Sequence, residues 1–483
     1  EEKITQDWDM TRLWHVPVPV SEEQNIMKLT FWEVAQAVEA SNDWQQWPDF
    51  PLTGIEFDSR KIVKGNLFVP LQGENDGHRF IESAMANGCQ AAFWGQDLVD
   101  APQQLPVLHV TDPLVAMQKL ATYYLNKMQP NVIAVTGSNG KTTTKDLIAA
   151  VLSEKFVTYK TQGNYNNQIG LPYTILHMPD ETEKLILEMG MDHAQEISFL
   201  SNLAQPEVAA ITMIGEAHVE NLGSRAGIAQ AKMEIVDGLA KDGSLFVPSD
   251  EPLLEPLVEK VTQQVITFGF SQESQLQGIV TNEAKEQTSF KISDTQMTFT
   301  IPVPGTYNVT NALIAIGIGR YFQLTDSEIQ KGLATAELTK NRTEWLKAAN
   351  GAEILSDVYN ANPTAMGLVL DSFSKMSKVG KRIAVLGDML ELGPDSAAMH
   401  QAMAQHLAPD AIEEVFLYGS EMAYLADKLQ ETYAPANIHS FKKEEKNELI
   451  EAVKKVLQPE DMVVLKGSNG MGLREVIDAL LEK

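Results

Sequence analysis

The sequence predicts an α/β protein of three domains, and three observations carry that expectation. The chain has 483 residues, about three times what one hydrophobic core commonly fills. From residue 131 onward, short apolar runs alternate with helical patterns, the mark of parallel sheets buried on both faces. That alternation breaks off and restarts near Arg342, which separates one such unit from a second.

Taken in order, residues 1–26 mix Trp8, Trp14 and a Val-Pro-Val-Pro run without helical or strand period. They read as an irregular or artificial extension, with Met27 the natural start. Residues 27–130 form a small N-terminal α/β domain, with a helix over 30–40, strands near 55–57 and 66–71, a helix over 78–87, and strands near 91–94 and 107–110. A helix over 113–127 leads out of it. Residues 131–340 form the central domain, a mostly parallel sheet with strands near 132–135, 185–188, 208–212 and 245–247. The short β-type runs of 264–301 predict an antiparallel patch appended to that sheet, followed by a helix over 308–321. Residues 341–483 form a doubly wound C-terminal domain with strands near 353–358, 382–386, 414–418, 438–441 and 462–466.

Composition removes several classes of function. Lys and Arg number 38 against 65 Asp and Glu, a formal charge of −27, so the long-range field repels nucleic acid and anionic lipid. An anionic substrate then needs a local cationic or metal-lined pocket. The single cysteine, Cys89, allows neither an intrachain disulfide nor a cysteine-rich metal site. No apolar run has the length of a membrane span, and the first ten residues, EEKITQDWDM, are acidic where a signal peptide is basic. A cytoplasmic protein without membrane or nucleic-acid partners is expected.

The most specific motif is Val132-Ile-Ala-Val-Thr-Gly-Ser-Asn-Gly-Lys-Thr-Thr-Thr144. A buried strand runs into Gly137, Ser138, Asn139, Gly140, Lys141, Thr142 and Thr143 and then a helix. Glycines let backbone N–H groups face a phosphate, the helix start adds positive potential, Lys141 reaches terminal phosphates and Thr142 can hold Mg2+. This gives the central domain a P-loop ATPase-like character, although Gly137 lies closer to Gly140 than in the general GxxxxGK[ST] pattern. GSNGKT does not fit GxGxxG, which argues against a dinucleotide site.

Further polar clusters fall where strands should end. The loop 161–172 (TQGNYNNQIGLP) carries Asn164, Asn166 and Asn167 as candidate substrate contacts, although Asn and Gly also dominate ordinary turns. Glu188 ends the apolar run of Leu185-Ile-Leu-Glu-Met-Gly190, where a carboxylate is costly without a cation. Gly215-Glu-Ala-His218 follows another strand, and Lys232 sits in a helical pattern one turn from Ile228. Alone, His218 reads as a surface or satisfied residue and Lys232 as a lysine with a buried stem.

In combination these segments resemble the Mur ligases. GSNGKTTT, GNYNNQIGLP, LEMG, GEAH with IAQAKMEI, Asn308-Val-Thr-Asn-Ala, Asn341-Arg-Thr-Glu-Trp, Asp357-Val-Tyr-Asn-Ala-Asn-Pro and Leu386-Gly-Asp-Met-Leu-Glu-Leu-Gly393 occur in the family's order over 27–483. The DVYNANP and NRTEW segments, with Phe57-Asp-Ser-Arg60 and Gly77-His, resemble the branch that adds D-Ala-D-Ala to UDP-MurNAc-tripeptide.

The resemblance implies a monomeric, ATP-dependent amide ligase of peptidoglycan precursor synthesis with a C-terminal Rossmann-like domain over the nucleotide. It further implies two Mg2+ ions, held by Thr142, Glu188, His218 and a carbamylated Lys232, with Lys141, Glu188, His218 and Lys232 serving catalysis. Asn311 is placed near adenine, and Arg342, Asp357, Tyr359 and Asn360 near the nucleotide from the C-terminal side. Asp58, Ser59 and Arg60 are placed near the uridine nucleotide. Residues 1–26 have no family counterpart, Met233 stands where a small residue is common, and Asn469 stands where Arg is common. A sister ligase adding one amino acid, a folylpolyglutamate synthase, and a non-ligating nucleotide-binding regulator are the alternatives.

Overall fold

The computed structural model describes Met27, residues 29–339 and residues 342–482; the reading of residues 1–26 lies outside the described residues. Four sheets organise these residues.

The first helix, Phe31–Ala37, starts at a capping box in which Thr30 Oγ1 accepts from Glu33 N and the Glu33 carboxylate accepts from Thr30 N. It stops short of the expected residue 40 because Glu39, at φ 56°, turns the chain out of the helix. A two-stranded ribbon (Leu29–Thr30 with Pro51–Leu52) leads into a parallel sheet of Gly54–Glu56, Asn66–Phe68, Ala91–Trp94 and Val107–His109, in that order. Asp112 caps the next helix, Pro113–Met128, by accepting from Leu114 N, and Pro113 fixes its first turn. That helix joins two units through one apolar core, which runs unbroken from Leu29 and Phe93 through Leu120 and Tyr124 to Leu187 and Leu245.

The central sheet has nine strands, ordered Thr298–Ile301, Thr288–Ile292, Leu276–Glu283, Gln264–Gly269, Ser244–Pro248, Val208–Ile211, Asn131–Thr136, Lys184–Glu188 and Thr158–Lys160. The expected antiparallel patch is smaller than the sequence suggests. Gln264–Gly269 pairs parallel with Ser244–Pro248, and Leu276–Glu283 enters parallel to it, Phe268 opposite Leu276. Only the pairings of Thr288–Ile292 with Leu276–Glu283 and with Thr298–Ile301 are antiparallel. Alternating side chains report burial on one face and carry no information about strand direction. The edge strand Thr158–Lys160, half-buried throughout, gave no apolar signal to find it by.

The C-terminal sheet is ordered Glu344–Lys347, Glu353–Asp357, Met462–Lys466, Arg382–Gly387, Glu414–Tyr418 and Ile438–Phe441, parallel except for its first strand. Successive residues feed opposite faces, Leu355 and Leu417 one core, Ile354 and Phe416 the other. Its seam with the central unit is largely polar. Thr364 Oγ1 donates to the Glu216 carboxylate at 2.8 Å, Ser372 Oγ to Glu283 Oε1 at 2.7 Å, and Trp345 Nε1 to Lys285 O at 2.9 Å. A cavity of about 530 Å³ lies between the two units and is lined by both.

Candidate active site

The strand Asn131–Thr136 delivers the glycine loop to the rim of this cavity, at the carboxyl ends of the parallel strands where such sheets bind ligands. Gly137 has φ 149°, and a Cβ there would lie 1.8 Å from Thr212 Oγ1. Gly140 has φ 81°, and its Cβ would lie 2.5 Å from Asn311 Oδ1. The helix Lys141–Leu152 begins directly after Gly140, so its unsatisfied N–H groups open at the loop.

Side chains around that opening form a charged cluster. Lys141 Nζ donates to Gly137 O at 2.8 Å, which folds the lysine over its own loop. Thr142 Oγ1 donates to Glu188 Oε2 at 2.8 Å, and Asn166 Nδ2 donates to Glu188 Oε1 at 2.8 Å. Burial alone would raise the Glu188 carboxyl, but Lys145, Lys141 and Arg342 together hold it below its ordinary value. Burial also lowers the Lys141 ammonium, against the attraction of Glu188.

Other loop residues brace the site. Ser138 N donates to Met213 O at 2.9 Å and its Oγ accepts from Gly215 N at 2.9 Å, so its backbone N–H and its hydroxyl tie the loop to the neighbouring strand end. Asn139 Nδ2, by contrast, is buried without a hydrogen-bond partner and its residue lines the cavity, an unused donor where an anion would sit. Thr143 lines the same cavity. Asn311 Oδ1 accepts from Thr144 Oγ1 and its Nδ2 donates to Asn308 Oδ1, both at 3.1 Å. These bonds commit its amide to holding Gly140 in place, while one edge still lines the cavity.

The amide loop divides its work. Asn166 holds Glu188, whereas Asn167 Oδ1 accepts from Ile169 N and Gly170 N at 3.1 and 2.9 Å and starts the helix Gly170–Leu176. Asn164 reaches across the seam to the hydroxyl of Tyr359. From the C-terminal unit, the Arg342 guanidinium stacks 4.1 Å over the Tyr359 ring. Asp357 Oδ2 accepts from Lys466 Nζ at 2.6 Å, and the same ammonium donates to Asn360 O at 2.9 Å. Arg342, Asp357, Tyr359, Asn360 and Lys466 all line the cavity.

A second cluster lies beside the first. His218, held at φ 63°, places Nδ1 2.6 Å from Glu391 Oε2 and 3.3 Å from Asp192 Oδ1, at ion-pair distance but without aligned hydrogen-bond geometry. Lys232, 2% exposed on the helix Arg225–Met233, enters no ion pair with the described residues. Burial pushes its amine well below the ordinary value, and the nearby charge of Lys141 adds to that effect against Glu234. Among the described residues no group of three or more His, Cys, Asp or Glu side chains is arranged to hold a metal ion alone. Thr142 Oγ1 and Glu188 instead offer the partial oxygen set that suits Mg2+, which shares its shell with water and phosphate.

Asp58, Ser59 and Arg60 lie apart from the cavity, on the N-terminal sheet. Asp58 accepts from Arg60 N, Nε and one terminal N–H at 3.1, 2.9 and 2.9 Å, and the Arg60 side chain is 64% exposed. Ser59 is buried and its carbonyl accepts from Asn87 Nδ2.

The family model described as the Mur ligase middle domain matches residues 135–319, and that described as Mur ligase, glutamate ligase domain, matches 341–469. The chain is 40% identical to the UDP-N-acetylmuramoyl-tripeptide–D-alanyl-D-alanine ligase of Bacillus subtilis (strain 168), over 95% of this chain and 99% of that one. It belongs to the Mur ligases. A crystal structure of MurF from Acinetobacter baumannii superposes with a TM-score of 0.84 at 29% identity, covering 96% of this chain and all of the other. The MurF ligase of Thermotoga maritima, solved in complex with ADP, shares the fold at a TM-score of 0.77 and 24% identity, over 91% and 98% of the two chains.

In this Mur ligase several residues at the site were not singled out from the sequence, although Glu216 and Glu391 lie within the GEAH and LGDMLELG segments. Asp192 and Glu391 meet at His218, Glu216 grips Thr364, and Asp146, 1% exposed, accepts from Lys160 Nζ at 2.6 Å and from Thr339 N at 2.9 Å beside the phosphate loop. Glu56 is a further case: its buried carboxylate accepts from Phe57 N, Asp58 N and Tyr173 Oη at 2.8, 2.9 and 2.9 Å. It pins the Asp58 loop to the central unit, and only the motif FDSR that follows it marked that stretch of chain.

Proposed function

We infer that the protein joins UDP-MurNAc-tripeptide to D-Ala-D-Ala through an amide bond, converting ATP to ADP and phosphate, as a step in making peptidoglycan precursor. The observation that carries the reading is the hydrogen-bonded pair of buried Thr142 and Glu188, with Lys141 beside them, next to a loop whose Asn139, Gly140 and Thr143 line an interdomain cavity, in a chain 40% identical over 95% of its length to a ligase of that name. We assign residues 27–130 to the uridine nucleotide substrate, 131–340 to ATP, and 341–483 to closure over it.

The peptide carboxylate is a poor electrophile, so its oxygen first attacks the γ-phosphorus of ATP and ADP leaves. The acyl phosphate formed is then attacked by the amine of D-Ala-D-Ala, and phosphate departs. The protein's part is to bring anions together and neutralise charge. Lys141 and the N–H groups at the start of the helix Lys141–Leu152 cradle the phosphates, with the unused Nδ2 of Asn139 as a further donor. Arg342 and Tyr359 close on the nucleotide from the other side. Thr142 and Glu188 would hold one Mg2+, and His218 with Lys232 a second; bound there, the ions supply charge neutralisation to the phosphates. The lowered amine of Lys232 supports carbamylation, in which its neutral nitrogen adds carbon dioxide and releases a proton, turning a repelled cation into an oxygen ligand. Asp58, Ser59 and Arg60 face the uridine nucleotide in this reading, with Asn164 and Asn166 near the reacting end and Asn167 maintaining their loop. The enzyme acts in the cytoplasm as a monomer.

Phosphate release tests the assignment. It should require both UDP-MurNAc-tripeptide and D-Ala-D-Ala; equal turnover without the dipeptide, or with a single free amino acid in its place, refutes it and points to a sister ligase or to a nucleotide-binding regulator.

A further inference from the structure

One helix of the C-terminal unit lays a whole face along the interdomain cavity. Thr364, Ala365, Leu368, Val369, Ser372 and Lys375 are among the lining residues, spaced as a single stripe of the helix Pro363–Lys375. The first turn of that helix leaves one backbone donor for another element to satisfy. Pro363 has no N–H, Ala365 N donates to Asn362 Oδ1 at 3.0 Å, and Met366 N donates to Asn362 O at 2.9 Å. Thr364 N, the remaining donor, crosses the seam to Glu216 Oε2 at 3.1 Å, and Thr364 Oγ1 donates to the same oxygen at 2.8 Å. Glu216 belongs to the central unit, in the loop after the strand Val208–Ile211, and it is not among the described residues that line the cavity. Its neighbour in sequence is squeezed from both sides. A Cβ on Gly215 would lie 3.4 Å from Ser138 Cβ in the phosphate loop and 3.3 Å from Asn362 Oδ1 at the helix cap. The pair Gly215 and Glu216 therefore touches the phosphate loop on one side and the C-terminal helix on the other.

We propose that Glu216 is a positioning residue: by accepting both donors of Thr364 from across the seam, it seats the helix Pro363–Lys375 against the phosphate loop and so sets one wall of the cavity for the nucleotide. A carboxylate suits that place, because a helix start carries partial positive charge and an ionised acceptor strengthens both hydrogen bonds. The Ser372 hydroxyl on Glu283 holds the same helix about two turns further on, but Glu283 lines the cavity itself, whereas Glu216 acts from behind the wall. Arg225, whose Nε lies 3.7 Å from Glu216 Oε1, also donates to Glu251 Oε2 at 2.7 Å and Ile214 O at 3.0 Å, so it keeps its place when Glu216 is altered. Without Glu216 a smaller fraction of molecules holds the wall in position, and apparent nucleotide affinity falls by that fraction. Saturating nucleotide restores the seated form, so the loss falls on KM and spares kcat. The inference rests on the reading of the cavity as the nucleotide site.

The test uses the full-length enzyme with Mg2+ and a non-hydrolysable ATP analogue, titrated calorimetrically beside steady-state phosphate release with the other substrates saturating. Glu216→Ala should weaken analogue binding by about tenfold, the loss expected of a charged hydrogen-bond acceptor, and raise the KM for ATP by the same factor with kcat close to wild type. Glu216→Gln, whose amide oxygen can take both Thr364 donors, should stay close to wild type, since the partly exposed Arg225 at 3.7 Å contributes little as an ion pair. Spin labels on Lys260→Cys and Val379→Cys, exposed positions in different units, report seating directly, the native Cys89 being buried. Their distance distribution should broaden in the nucleotide-free Ala variant and narrow to the wild-type one when the analogue saturates. Wild-type KM and distances in Glu216→Ala overturn the proposal. So does a fall in kcat at unchanged KM, which moves Glu216 into the chemical step. Lys141→Ala separates the two ideas: if it binds the analogue as tightly as wild type, the nucleotide reading of the cavity fails, and if it binds weakly while Glu216→Ala binds normally, only the role of Glu216 fails.

Discussion

Replacing Glu188 by Gln removes one charge from the buried cluster and changes almost nothing in shape. The carboxylate accepts from Thr142 Oγ1 and Asn166 Nδ2, each at 2.8 Å, and an amide oxygen can satisfy only one of those two donors. The larger effect is on the three cations around it, Lys145, Lys141 and Arg342. Breaking a buried ion pair costs roughly 3–5 kcal/mol. Lys145 keeps Asp146 at 3.6 Å and Thr161 O at 2.7 Å, and Lys141 keeps Gly137 O at 2.8 Å, so the low end, about 3 kcal/mol, is expected. Expressed in the transition state alone, that is about a 150-fold loss of kcat. The assay is phosphate release at saturating substrates over a Mg2+ titration, beside ATP binding measured in EDTA. Metal-free ATP should bind the variant as well as wild type or better, because a negative charge has left the phosphate site, while the Mg2+ requirement shifts upward. A kcat within about threefold of wild type, with an unchanged Mg2+ requirement, would refute the role given to this carboxylate.

Lys141→Ala should lose about two to three orders of magnitude in phosphate release while its melting temperature stays near wild type, since the lysine contributes charge and little packing; near-normal turnover would make the loop a structural turn. Lys232→Arg should be inactive despite keeping a positive charge, because a guanidinium does not form the analogous stable carbamate. A carbamate carbon signal from labelled bicarbonate in wild type, absent in the variant, checks this. Glu56→Gln should flatten part of the pH dependence of stability. Burial raises the Glu56 carboxyl above its ordinary value, so the folded protein holds an extra proton. Its stabilising contribution is complete below the unfolded-state value, about pH 4.3, and is lost as pH rises through the raised one. Denaturant unfolding followed by tryptophan fluorescence from about pH 4 to 7 reads the difference, and parallel curves for the two proteins would contradict it.

What the sequence revealed and what it concealed follow from the kind of constraint involved. Gly137 and Gly140 were legible because their backbone angles and the closeness of Thr212 and Asn311 admit no side chain. Glu188 was legible because a carboxylate closing an apolar strand is anomalous in itself. Strand direction over 264–301 was not legible, since burial alternates identically in both directions. Ser138 and Asn167 carry the expected residue types in the expected loops, yet their side chains bond to Gly215 N and to Gly170 N, because Ser and Asn serve turns and caps as readily as ligands. Asp192, Glu216 and Glu391 are ordinary acidic residues in a strongly acidic chain. Only the folded arrangement distinguishes them, since no local pattern records that Glu216 meets Thr364 or that Asp192 and Glu391 both meet His218.

The two seams of this molecule differ in what cutting the gene would produce. The N-terminal and central units share a continuous apolar core through Leu120 and Tyr124, so a truncation near residue 130 strips oil-like surface from both fragments, and neither should be recovered as a clean soluble piece. At the other seam the described central unit sends only Val219 and Tyr307 against the C-terminal core, and the other contacts named there are hydrogen bonds and ion pairs between polar groups that water can solvate. The C-terminal piece should therefore be separable, able to be expressed alone and added back. Complementation in trans by two fragments split near residue 340, and its failure for a split near 130, would turn this difference in seam chemistry into a map of which parts of the enzyme are modules.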